Sequence, residues 1–150
     1  MTQITSDIEF KNRLGALPLA SHRKLGAMFV ESVLELADDE RVRRAVTLAK
    51  DGNATDEELS AASKNARAAS IDYHTRCGYE GDWKEQAGYF VAKAAAACVM
   101  PEDRARAVNP AWEAAMACRM ARTCLVIVSG EAAAHDESER QYEIFAAFNG

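Results

Sequence analysis

An all-α fold is what this sequence predicts: a single-domain helical bundle of about six or seven helices, packed through small residues. Three observations carry that expectation. About 30 of the 150 residues are alanine, against 8 glycines and 3 prolines, and alanine loses least on entering a helix. Strand formers are thin and scattered; the one strand-like run, Leu125–Val128, has nothing to pair with and reads as helix. Residues that start or stop helices recur along the whole chain. At this length one domain buries roughly 68–70% of its unfolded surface and folds without a covalent staple.

The elements follow in order. A first short helix runs from about Asp7 to Leu14, stopped by Gly15 and Pro18. The second starts after Ser21 and places Leu25, Met28, Phe29, Ser32, Val33 and Leu36 on one stripe, ending near Ala37. Asp38 or Asp39 caps the third, whose apolar face is Val42, Val46 and Ala49, with Gly52 as its stop. Thr55 lies three residues before Glu58, the spacing of a capping box, so a fourth helix begins there and reaches about Cys77. After a turn at Gly78–Asp82, Asp82 caps a fifth helix that runs through the alanine run to Met100, where Pro101 breaks it. The next stretch, Pro101–Pro110, reads as a short helical turn or connector. Asn109 then caps a sixth helix with Pro110 in its first turn and Gly130 as its end, and a last helix runs from about Asp136 to Phe148.

Three of these helices share alternating spacings of 3 and 4 residues. The seams are Leu59, Ala62, Ala66, Ala69 and Tyr73; Ala87, Val91, Ala94 and Cys98; and Ala114, Cys118, Ala121, Leu125 and Val128. Small side chains in such seams let helix axes approach toward the low end of the usual range of roughly 8–10 Å.

Charge narrows the function classes. A net charge of −5 and a pI near 5.2 oppose a nucleic-acid footprint, which is built from clustered Lys and Arg, and suit a basic protein partner. The first residues have neither the basic nor the apolar region of a signal peptide, and no run approaches roughly 18 uninterrupted apolar residues, so no membrane partner and a cytoplasmic location are expected. Cys77, Cys98, Cys118 and Cys124 form no C-x-x-C pair and read as reduced small hydrophobes. His74 and Cys77 share a helix face without a second ligand pair, and the Glu-x-x-His signature of di-iron bundles is absent from the sequence. No phosphate loop, nucleophile elbow or H-E-x-x-H occurs. The expectation is a chain that is not an enzyme and carries no cofactor, catalytic or metal site.

What remains is surface. The acidic groups Asp38, Asp39, Glu40, Asp136 and Glu137 are helix starts that can also meet a basic partner, and Trp83, Tyr89 and Trp112 are residues of the type that anchors protein interfaces. The stretch "DDERVRRAVTLAKDGNATDEELSAA", the alanine-rich helices after it and the closing "SERQYEIFAAF" resemble an alanine-rich helical family of bacterial genomes found among immunity proteins of polymorphic-toxin systems. That resemblance implies an all-helical domain that binds and neutralises a protein, and it transfers no functional residue. The expected function is therefore an inhibitory protein-binding domain of the immunity, antitoxin or phage anti-defence type. A helical enzyme or ligand carrier with a pocket near the Cys-bearing helices, and a structural assembly subunit that forms homo-oligomers, are the alternatives.

Overall fold

A computed structural model describes residues 4–77, 82–130 and 134–148, and of 134–136 the backbone alone. These residues form eight α-helices: α1 (Asp7–Gly15), α2 (Leu19–Glu31), α3 (Glu40–Lys50), α4 (Asp56–Cys77), α5 (Trp83–Cys98), α6 (Glu102–Ala105), α7 (Pro110–Ser129) and α8 (Ala134–Ala147), with a 3₁₀ turn at Leu34–Leu36. No strand occurs among them. The eighth helix is the single turn α6, in the stretch expected to be either a helical turn or a connector. Leu125–Val128 is helical, and the expected turn at residues 78–81 lies outside the described residues.

The helix ends follow local chemistry. Thr55 and Glu58 exchange hydrogen bonds, Glu58 N–H to Thr55 Oγ1 at 3.1 Å and Thr55 N–H to Glu58 Oε1 at 3.0 Å. Asp39 Oδ1 accepts from Arg41 N–H at 2.8 Å, Asp82 Oδ1 from Lys84 N–H at 2.9 Å, and Asn109 Oδ1 from Trp112 N–H at 3.2 Å. Gly130 ends α7 with φ of 75°, a left-handed conformation that only glycine adopts without strain.

The second helix departs from expectation, stopping at Glu31 rather than near Ala37. Its end is set by tertiary contacts. The Ser32 carbonyl accepts from Arg122 of α7 at 2.9 Å, and the Ser32 hydroxyl lies 2.7 Å from both the Phe29 carbonyl and Glu137 Oε1 of α8. Val33 leaves helical geometry, and the chain closes with 3₁₀ bonds from Leu36 N–H to Val33 and Ala37 N–H to Leu34.

Around α5 the other helices gather, with α7 and α4 making the most extensive contacts and α2 and α3 completing the ring. α4 and α5 run antiparallel: Arg76 pairs with Glu85 at 3.0 Å, and the Tyr73 ring lies against Gly88. α2 and α7 run parallel, His22 meeting Ala111 and Ser32 meeting Arg122. The expected seams of α4 and α5 are buried throughout. Burial of α5 goes further than one seam, since Ala92, Ala95, Ala96 and Ala97 are covered too and Lys93 is exposed. The α7 seam holds at Ala114, Cys118 and Ala121, but Leu125 is half-buried, Val128 is exposed, and Cys124 is the buried residue of the last turns.

Candidate functional site

The acidic residues Asp38, Asp39 and Glu40 stand at the start of α3 and pair with its arginines, Asp38 and Glu40 through exposed side chains. Asp38 and Glu40 both bind Arg43, at 2.8 and 3.0 Å, while Asp39 binds Arg41 at 2.9 Å and Arg41 reaches Asp72 at 2.8 Å. Hydrogen bonding from Arg41 outweighs desolvation and holds the Asp39 carboxyl below its ordinary range. Glu137 is a correction: it is only 1% exposed, accepts from Ser32 and faces Arg140 at 3.3 Å and Arg122 at 3.9 Å. It therefore fastens α8 and presents no carboxylate to a partner. The Asp136 side chain lies outside the described residues.

The aromatic candidates divide. Trp83 is exposed at the first position of α5. Tyr89 packs edge-on against Phe90 at 5.0 Å between ring centroids and tilts over His74 at 5.3 Å. Phe90 and Trp112 line a groove of about 390 Å³ between α5 and α7, together with Lys93, Ala97, Glu113, Met116, Ala117 and Met120. Trp112, Met116 and Met120 recur at spacing four on α7, on a face distinct from the buried Ala114, Cys118 and Ala121. Trp112 and Met116 pack partly against the core, Trp112 edge-on to Phe10 at 6.1 Å, and Met120 extends the same stripe into solvent.

Lys64 and Arg67 are exposed on α4. In the fold, Arg67, Lys93 and Arg104 converge with Ser63 and Glu113 on a cavity of about 140 Å³, and Lys64 and Arg67 line a neighbouring one of about 560 Å³ with Ile71 and Pro101. The first cavity shares Lys93, Ala97 and Glu113 with the α5/α7 groove and Arg67 with its other neighbour, so the three adjoin as a shallow trough, and the last of them also shares Ser60 and Pro101 with an opening lined by Arg23, Asp56, Glu102, Asp103 and Arg106. The cations come from α4, α5 and α6, helices with no common sequence signal.

The titratable groups inside the bundle are packing groups. Cys98 donates to the Ala94 carbonyl at 3.3 Å, and burial pushes its thiol up to about 12. Burial likewise raises Cys118 well above the ordinary thiol range, so neither supplies a thiolate near neutral pH. A Cβ on Gly26 would stand 3.0 Å from Cys98 Sγ and 3.6 Å from the Ala114 methyl, which places Cys98 in the α2/α5/α7 contact and outside the groove. His22 is held neutral by burial while its Nδ1 accepts the Ala111 N–H at 3.1 Å, satisfying an orphan donor at the start of α7. Among the described residues no three His, Cys, Asp or Glu side chains gather to hold a metal ion, and no helix is long and apolar enough to cross a membrane.

No family model, curated protein or solved structure matches this chain.

Proposed function

We propose that this chain is a protein-binding domain that docks its partner in the α5/α7 groove. The observation that supports the reading is the second apolar stripe of α7, where Trp112 and Met116 are half-buried and Met120 is 47% exposed beside Phe90. A concave surface of aromatic rings and methionines suits an amphipathic helix: the rings anchor it and the unbranched thioethers adapt to its shape. The surrounding helices are close-packed, so little ordering cost attaches to the groove side of the interface.

The mode of action we favour is neutralisation, in which the domain occupies a partner's working surface as an immunity factor, antitoxin or phage-borne anti-defence protein does. Its support is the sequence resemblance described above, together with an interior whose thiols are protonated and whose His22 is engaged as a helix cap. The acidic helix starts have no part in this reading.

The test is co-expression of the full chain with the proteins encoded beside it. A stable complex is expected, with suppression of any neighbour's toxicity, and Met120→Glu should release the partner while Asp38→Asn should not. Absence of a complex and of toxicity suppression, or a complex indifferent to Met120→Glu, contradicts the proposal.

A further inference from the structure

The trough beside the apolar groove carries charge of one dominant sign. Among the described residues most arginines are already committed: Arg41, Arg43, Arg44, Arg76, Arg106, Arg119, Arg122 and Arg140 each reach a carboxylate. Among the described residues Lys64, Arg67 and Arg104 reach no carboxylate, and Lys93 lies over the Tyr89 ring at 5.7 Å from its centroid. These four exposed cations are brought to one trough by three different helices. Glu113 is the carboxylate on the same stretch.

Ser63 lines the same opening beside Arg67, Lys93 and Arg104.

We infer that the occupant of the trough is an acidic segment of another protein, anchored by apolar residues in the α5/α7 groove and carrying carboxylates that meet Lys64, Arg67, Lys93 and Arg104. The inference rests on the protein-docking reading above and reverses the expectation of a basic partner. Its occupant follows from charge complementarity: the docking face is cationic although the chain as a whole carries −5. That net charge repels long polyanions, and the cationic stretch is short. It ends past Pro101, where Asp56, Glu102 and Asp103 line the next cavity with Arg23 and Arg106. A nucleic-acid backbone needs a longer run of cations, whereas a peptide needs a few charges next to its apolar anchors.

The experiment selects binders from a displayed library of helical peptides on the immobilised full chain. The peptides carry leucines at i, i+3 and i+7 with randomised flanks. We expect the recovered flanks to be enriched in Asp and Glu, and binding of a recovered peptide to weaken about fivefold for each of Arg67→Glu, Lys93→Glu and Arg104→Glu. Binding should also fall as salt rises. Asp38→Lys, on the far acidic cluster, should leave affinity unchanged, and circular dichroism of each variant verifies the fold. Recovered flanks that are basic or without charge bias overturn the inference and leave the docking reading intact. Binders indifferent to Met120→Glu, or no apolar-anchored binders at all, overturn the docking reading itself. Tighter binding of a single-stranded oligonucleotide or of anionic vesicles than of the acidic peptides, lost in the same charge-reversed variants, overturns the inference in favour of that ligand.

Discussion

Around α5 the helices meet through alanine, glycine and cysteine, whereas α8 is held to α1, α2 and α7 by aromatic rings and a chain of polar groups that runs from the buried Glu137 and Gln141 out to the exposed Asp7. In the first region the axes approach so closely that a Cβ on Gly88 would stand 2.4 Å from the Tyr73 ring. In the second, Phe10 lies at the centre of edge-on contacts to Phe29, Trp112, Tyr142 and Phe145, at 5.0 to 6.1 Å between centroids. Around that cluster, Gln141 donates to the Ala115 carbonyl and accepts from Arg119, both at 2.9 Å, and Arg119 continues to Asp7 at 2.9 Å, where Tyr142 also donates. Dry small-residue packing gains from every contact and tolerates no added volume. Polar stitching gains little per bond and loses heavily when one partner is removed.

The comparison breaks most sharply at Glu137. Glu137→Ala removes the buried carboxylate that pairs with Arg122 and Arg140 and accepts from Ser32, while the Ser32 hydroxyl keeps the Phe29 carbonyl and Arg122 keeps the Ser32 carbonyl, and an expected loss of about 3 kcal/mol follows. Urea unfolding measures it, and amide exchange should place the loss in α8 and the Ser32 turn. Gly88→Ala and Ala94→Leu test the other region. The first drives a methyl into the buried Tyr73 ring, which must shift, and the second overfills a fully buried position. Each should cost about 1–3 kcal/mol, with Gly88→Ala at the upper end, and lower the global midpoint. Gly52→Ala is the matched control, because nothing lies within 4 Å of the added carbon.

Smaller effects sharpen the picture. His22 binds its proton less readily when folded, so its contribution is fully present above the unfolded value of about 6.5 and declines as pH falls below it. The slope from this one group is at most about 1.4 kcal/mol per pH unit. Denaturation of the wild type and of His22→Gln from pH 7 to 5 measures it, and the variant should lose that component of the slope. Arg43→Ala is the smallest: its pairs with Asp38 and Glu40 are exposed to water, and the urea midpoint should not move measurably.

The two regions also differ in how far the sequence reveals them. Spacing of 3 and 4 marks buried positions on α4, α5 and the first turns of α7 because dry packing repeats with the helix period, and capping residues mark helix starts because they act within three residues. The end of α2 escapes such reading, since Arg122 and Glu137 that fix it are about ninety residues away or more. For the same reason Glu137 reads as a surface acid from sequence alone. Trp112 points toward the groove through its residue type, and the Trp112–Met116–Met120 stripe marks one of its walls. Arg67, Lys93 and Arg104 share no local pattern, because only the antiparallel packing of α4 on α5 and the turn of α6 bring them together.

The central claim is that the helices around α5 form one rigid body bearing the groove, while α8 is a separately fastened element. Native-state hydrogen exchange, read residue by residue in wild type and Glu137→Ala, tests it most directly. The expected result is a shared high opening free energy for the core amides of α4, α5 and α7, a lower one for α8, and a further fall confined to α8 and the Ser32 turn in the variant. A single opening free energy for α5 and α8, lowered equally by Glu137→Ala, would contradict the account.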